Sequence, residues 1–193
     1  MKLLLVYATT EGQTRKIAQF VAHHLSQQGH QVQLVDAIDA SADIDPRDFD
    51  VLIAAASVHA GRYQSAIIHF IRDHLAAMAT RPNSFLSVSL AAAGDDKDDV
   101  EGLKKCVADF IHETGWTPKS VHHVAGAFRY TSYDFLKRWA MKYIAYRKGG
   151  PTDTSRDYEL TDWDDLTRFV DSLVKDSASK PTIDPRLPET PSA

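Results

Sequence analysis

Tyr7-Ala8-Thr9-Thr10-Glu11-Gly12-Gln13-Thr14 directly follows an apolar run, Lys2 to Tyr7, and opens a helix-period segment. A strand that ends in hydroxyls, a glycine and another hydroxyl is suited to hold a phosphate. Backbone N–H groups at a helix start point at an anion there, and the helix dipole favours its charge. The hydroxyls of Thr9, Thr10 and Thr14 can donate to phosphate oxygens, and Gly12 permits close backbone approach or positive φ. The loop matches neither Gly-x-x-x-x-Gly-Lys-Ser/Thr nor Gly-x-Gly-x-x-Gly. It holds no Lys or Arg, which suits a dianionic monophosphate neutralised by dipoles. An ordinary strand-to-helix turn with capping threonines is the alternative.

Outward from this loop the pattern alternates strand and helix. Short apolar runs occur at Lys2–Tyr7, Gln31–Val35, Val51–Ala56, Phe85–Leu90 and Ser120–Ala125. Between them, Ile17, Val21 and Leu25 repeat every four residues up to Gly29. Ile67, Phe70, Ile71, Leu75 and Met78 mark a second helix ending near Pro82. Val100, Leu103, Val107, Phe110 and Ile111 mark a third, ended at Gly115. A last helix opens at Thr161, which with Asp164 resembles a capping box, and buries Leu166, Phe169, Val170 and Leu173. Repeated strand–helix units predict an α/β fold, a five-stranded parallel sheet in the order 2-1-3-4-5 with helices on both faces. The ligand then sits at the carboxyl edge of that sheet.

The loops after strands three and four must share that edge. Ser57-Val58-His59-Ala60-Gly61-Arg62-Tyr63 combines a hydroxyl, a glycine and side chains able to flank a flat ring. Ser89-Leu90-Ala91-Ala92-Ala93-Gly94 has small residues that let backbone amides face a ring edge. Each could be a plain connector alone, but three compatible loops at one edge point to a bound mononucleotide.

The 193 residues are enough for one domain with a real core, and 44% apolar with 25% charged residues is ordinary for a soluble protein. A net charge of −4 gives no bulk attraction to nucleic acid. Cys106, the sole cysteine, excludes an internal disulfide; its helical neighbours make it a core residue. The nine histidines form no metal-ligand pattern, so no metal is expected. The N-terminal apolar run is too short for a secretory signal, and no stretch approaches a membrane span. Residues 1–176 form the domain, with an insertion over 128–159, and 177–193, carrying four prolines, reads as a disordered tail.

The insertion has its own character. Arg129 to Lys148 contains six basic residues and one acid, Asp134, interleaved with Tyr130, Tyr133, Phe135, Trp139, Tyr143 and Tyr146. Helical spacing puts Phe135, Leu136, Trp139, Ala140, Tyr143 and Ile144 on one face and most cations on the other. That profile fits a helix lying in an anionic membrane interface. A cationic patch for a carboxylate substrate, or a helix packed on the sheet, are the other readings.

These pieces together resemble the flavodoxin-like, quinone-dependent protoporphyrinogen IX dehydrogenases of bacterial haem synthesis. The residues that carry the resemblance are Glu11-Gly12-Gln13-Thr14-Arg15, Ala56-Ser57-Val58 with Gly61 and Tyr63, and Phe85 to Leu90. It continues through Ala125-Gly126-Ala127-Phe128-Arg129-Tyr130, Gly149-Gly150-Pro151-Thr152-Asp153 and Thr161-Asp162-Trp163. The resemblance implies FMN, protoporphyrinogen IX as substrate, menaquinone or ubiquinone as acceptor, and a peripheral position on the cytoplasmic side of the inner membrane. The three loops then hold the cofactor on Thr9, Thr10, Glu11, Gly12, Gln13, Thr14, Ser57, Val58, His59, Ser89, Leu90, Ala91, Ala92 and Gly94. Arg62 and Arg129 are the candidates for the propionates, and Tyr130 and Trp139 for apolar walls. No side chain stands out as a general acid or base, and homo-oligomer formation is left open. An NAD(P)H-dependent quinone reductase, a flavodoxin-type electron carrier and a cofactor-free interaction module are the competing functions.

Overall fold

The computed structural model describes residues 1–40, 44–94, 97–128 and 157–179. In chain order these form β1 (Lys2–Ala8), α1 (Gln13–Gln27), β2 (Gln31–Asp36), β3 (Val51–Ser57), α2 (Ser65–Asp73), α3 (Leu75–Thr80), β4 (Asn83–Ser89), α4 (Lys97–Thr114), β5 (Val121–Ala125), β6 (Ala127–Phe128), β7 (Tyr158–Glu159) and α5 (Trp163–Ala178). Strands β1 to β5 make one parallel sheet in the order β2-β1-β3-β4-β5, the order expected. Strands β6 and β7 form a separate antiparallel pair, Ala127 opposite Glu159.

The side-chain period of two divides each strand between two cores. Leu4, Val6 and Ala8 of β1 pack with Ile67, Ile71, Met78, Phe110 and Trp116 on one face, under α2 to α4. Leu3, Leu5 and Tyr7 pack with Ile17, Val21, Leu166 and Val170 on the other, under α1 and α5. The central strands β3 and β4 are buried along nearly their whole length, whereas the edge strand β2 alternates. Continuous apolar runs therefore mark strands covered on both faces.

Three details depart from the sequence expectation. The helix expected over Ile67–Met78 breaks at His74 (φ −116°, ψ 21°) into α2 and α3. The His74 ring packs 4.6 Å from that of Phe70, and its N–H still bonds the Phe70 carbonyl, so the chain kinks without losing that bond. Strand β4 starts at Asn83, two residues early. A buried Asn is tolerated there because its amide donates to the Met78 carbonyl (2.7 Å) and its oxygen accepts from Lys119 N–H (2.8 Å). Finally, α5 is capped by Asp162, which accepts from Asp165 N–H at 2.8 Å, not by a Thr161–Asp164 box. Thr161 instead donates to the Ala125 carbonyl at 2.7 Å.

The β5–α5 contact carries a pH dependence. Burial lowers the pKa of His122 below its ordinary value, outweighing the upward pull of Asp165 Oδ2 at 3.0 Å. The folded protein thus holds this imidazole neutral where the unfolded chain protonates it, below about pH 6.5. The unfolded state binds more protons in that window, so stability falls as pH drops through it and levels off below the folded pKa. Urea unfolding at several pH values should show this loss, and His122→Phe, keeping a ring to stack on Phe169 (4.3 Å in the native protein), should reduce the slope.

Candidate functional site

Gly12 closes the loop after β1 at φ 85°, the left-handed region, and acts as the N-cap of α1. Its N–H donates to Thr9 Oγ1 at 2.9 Å, which turns the chain sharply. No side chain caps α1 and no acid occupies its first turn. The amides of Gln13, Thr14 and Arg15, which lack intrahelical acceptors by position, are thus left for an outside group. Thr14 is fully buried, and its Oγ1 has no hydrogen-bond partner. A buried hydroxyl left unpaired costs about 1–3 kcal/mol, so its retention at a helix start marks a ligand position.

The loops after β3 and β4 close on this one. Gln64 donates from Nε2 to Thr10 Oγ1 (3.0 Å) and Ser57 Oγ (2.8 Å), tying the first loop to the end of β3. Val58 N–H bonds the Val88 carbonyl at 2.8 Å, and Ser89 Oγ accepts from Ala92 N–H at 3.1 Å, holding a single 3-10 turn over Ala91–Ala93. Gly126 N–H bonds the Ser89 carbonyl at 2.9 Å, bringing the chain beyond β5 to the same edge. The result is a cleft of about 100 Å³. Thr9, Thr10, Glu11, Gln13, Thr14, Ser57, Val58, His59, Ser89 and Leu90, all expected from the sequence, line it. Gly12, Ala91, Ala92 and Gly94 are not in its wall; they shape the loops behind it.

Val88, Gly126 and Ala127 line the cleft without having been anticipated. The signal for the last two was present: strand five neighbours strand four in the 2-1-3-4-5 order, so its end reaches the same edge. Gln64 carried no local signal, because its role is a bridge between two loops. The Gln13 side chain turns inward, donating to Glu159 Oε1 (2.8 Å) and Thr161 Oγ1 (3.1 Å), so its backbone amide is the part available to a ligand.

The turn His59–Arg62 is a two-residue hairpin, with reciprocal bonds His59 N–H to Arg62 O (2.8 Å) and Arg62 N–H to His59 O (3.1 Å). Such mirror-image turns need positive φ at both central residues, and Ala60 (50°) and Gly61 (80°) supply it. Alanine is strained there. Ala60→Gly should stabilise the protein by about 1 kcal/mol or less, read as a higher thermal midpoint. Arg62 itself is exposed and borders a different depression, between α2 and α4, with Arg72, Cys106 and Phe110. Cys106 is half-buried rather than fully in the core, with Sγ 3.4 Å from the Gly61 carbonyl; burial pushes its thiol pKa up. Tyr63 is buried with its hydroxyl 2.7 Å from Ser87 Oγ, and burial raises its pKa to about 12 against the downward effect of that bond. It is a packing residue, not a proton donor near neutrality. Arg129, Tyr130, Trp139 and the basic stretch 129–148 lie outside the described residues.

The cleft's donor set fits a phosphate-bearing cofactor: uncapped helix amides, threonine hydroxyls with their protons free to donate, and one buried hydroxyl without a partner. The apolar walls from Val58, Val88, Leu90 and Ala127 suit a flat hydrophobic ring.

Comparison with known proteins agrees with this geometry. A family model described as a flavodoxin domain matches residues 4–155. The chain is 30% identical over 183 residues to protoporphyrinogen IX dehydrogenase [quinone] of Escherichia coli strain K12, covering 95% of this chain and 99% of that protein. It is 29% identical over 189 residues to the protein of the same name from Leishmania major, covering 97% and 79%. Among solved structures, a flavodoxin from the domain Archaea superposes with a TM-score of 0.53 at 15% identity, over 92% of this chain and 99% of that one. Among the described residues no helix is long and apolar enough to cross a membrane.

Proposed function

This chain belongs to the flavodoxin-domain family and, within it, to the quinone-dependent protoporphyrinogen IX dehydrogenases, and from that premise we propose that it oxidises protoporphyrinogen IX to protoporphyrin IX with a membrane quinone as electron acceptor. FMN is the cofactor. The observation that supports this reading most is the 30% identity to the Escherichia coli dehydrogenase, which runs almost end to end. It therefore extends past residue 155, where the flavodoxin-domain match ends, into the last helix, α5.

FMN, when bound, would supply the redox chemistry between substrate and quinone. The chain's own task is to bind and orient. Thr9, Thr10 and Thr14, with the amides of the first turn of α1, hold the phosphate. Ser57, Val58 and His59 on one side, and Ser89 and Leu90 with Ala91, Ala92 and Gly94 behind them on the other, receive the ring. Gly126 and Ala127 close a third side. Val58, Val88 and Leu90 exclude water, which strengthens the polar contacts beside them. Arg62, Arg129 and the other cations of 129–148 attract the substrate's propionates, and Tyr130 and Trp139 give it apolar walls. The basic, aromatic stretch 129–148 also meets anionic lipid, placing the protein peripherally on the cytoplasmic face of the inner membrane, where quinone is delivered. No side chain of the cleft is assigned as a general acid or base.

The test is anaerobic turnover of the FMN-loaded protein with protoporphyrinogen IX and a soluble quinone. Porphyrin fluorescence should rise only when quinone is present, consuming three quinones per porphyrin because six hydrogens are removed. Fast quinone reduction by NADPH, with no porphyrin formed, would replace this reading with that of a general quinone reductase.

A further inference from the structure

Glu159 is a small hub. Its Oε1 accepts from Gln13 Nε2 (2.8 Å) and from Lys16 Nζ (2.8 Å), and its Oε2 accepts again from Lys16 Nζ (2.9 Å). The Trp163 indole adds a further donor, and the Lys16 ammonium lies 5.5 Å from the centre of the Trp163 ring. Burial alone would raise the pKa of this carboxyl, but the bonds from Lys16 and Gln13 outweigh it, so it is ionised at neutral pH.

The hub joins elements that are otherwise far apart in sequence. Gln13 and Lys16 are in the first turn of α1, the turn that presents amides to the cleft. Glu159 is in β7, paired with Ala127, which lines the cleft. Leu160 N–H bonds the Gly126 carbonyl at 3.0 Å, and Thr161 bridges Gln13 Nε2 and the Ala125 carbonyl. One carboxylate thus clamps the phosphate turn to the third wall of the cleft. This clamp is peculiar in sign. A carboxylate near a dianionic phosphate is repelled by it, so the residue weakens binding through its charge and can favour binding only through position.

We propose that Glu159 is a positioning residue for the cofactor site: by binding Gln13 and Lys16 together it fixes the first turn of α1 against β7, so that the amides of Gln13, Thr14 and Arg15 meet the FMN phosphate in register. The inference rests on the FMN assignment above. It adds that a residue outside the cleft, nearly 150 positions from the phosphate loop, governs how tightly that loop grips.

Equilibrium titration of FMN into the cofactor-free full chain, read by quenching of flavin fluorescence, tests it. Glu159→Ala should raise the Kd about tenfold, the scale of one lost hydrogen bond to a charged group. Glu159→Gln keeps an acceptor for Gln13 and should return the Kd to within about threefold of the native value. Glu159→Leu, which keeps bulk and removes the acceptor, carries the same expectation as Ala should the Ala variant not fold. Hydrogen exchange at the Leu160 amide, measured without cofactor, should quicken in Ala or Leu and stay slow in Gln. Native or tighter FMN binding by the Ala or Leu variant overturns the proposal, as does a Gln variant as weak as either. Failure of the unmodified chain to bind FMN overturns the cofactor assignment instead, and the exchange result then still decides whether the clamp exists.

Discussion

Thr14→Val is expected to weaken FMN binding by one to two orders of magnitude while leaving the cofactor-free protein as stable as before, or more stable. The two effects have one cause. The Thr14 hydroxyl is buried and unpartnered in the cofactor-free fold, so valine, of nearly the same shape, removes an unsatisfied polar group there. A buried hydroxyl without a partner costs about 1–3 kcal/mol, and part of that cost is recovered. With the phosphate in place the same hydroxyl donates to a dianion, a bond worth about 1.5–3 kcal/mol that valine cannot make. Thermal unfolding of the cofactor-free variant and FMN titration check the two signs separately. A capping role alone gives a different pattern, because loss of a cap lowers stability, and α1 shows no side-chain cap to lose.

Trp116→Ala is expected to cost about 3–5 kcal/mol of folding stability, the range for truncating a large buried aromatic side chain. Trp116 is fully buried at the base of a ring cluster. It stands edge-on to Phe85 (6.1 Å) and Phe110 (6.4 Å), which stack on each other at 4.6 Å, and Tyr63 packs edge-on against both. Its indole donates to the Met78 carbonyl at 2.9 Å, but that carbonyl also accepts from Asn83 at 2.7 Å. The loss therefore comes from the cavity and the missing ring contacts, not from an orphaned backbone group. Domains of this size have about 5–15 kcal/mol in hand, so the variant should unfold at a much lower urea concentration. Trp116→Phe, which refills part of the space, should lose less than half as much.

How far the molecule could be read in advance follows from the range of each interaction. Strands β1 and β3 were legible because burial on both faces leaves a near-continuous apolar run, β4 from Phe85, Leu86 and Val88 although serines interrupt it, and α1 because Ile17, Val21 and Leu25 return to one face. The sheet order followed from strand–helix alternation together with the loop at Thr9–Thr14. The kink at His74 was not legible, since Leu75 and Met78 keep the apolar spacing through it. The cap of α5 was misplaced by one residue because Thr161 and Asp162 are both good N-caps, and only the bond from Thr161 to Ala125 decides between them. The pair β6–β7 spans two residues per strand, too short for any periodicity. With it went the Glu159 clamp, whose partners lie nearly 150 residues apart. Ten of the cleft's lining residues came from local loop chemistry; those missed are placed by neighbouring strands or by a bridging side chain.

The physical core of the account is that main-chain amides and a buried hydroxyl at the start of α1 grip a doubly charged phosphate. The most direct measurement compares the Kd of the cofactor-free protein for FMN with that for riboflavin, which carries the same ring and ribityl chain without the phosphate. The account predicts that FMN binds at least about 100-fold more tightly, the worth of two charge-assisted hydrogen bonds or so, and that Thr14→Val erodes this preference while leaving riboflavin affinity unchanged. Equal affinity for the two flavins, or a preference untouched by Thr14→Val, would contradict it.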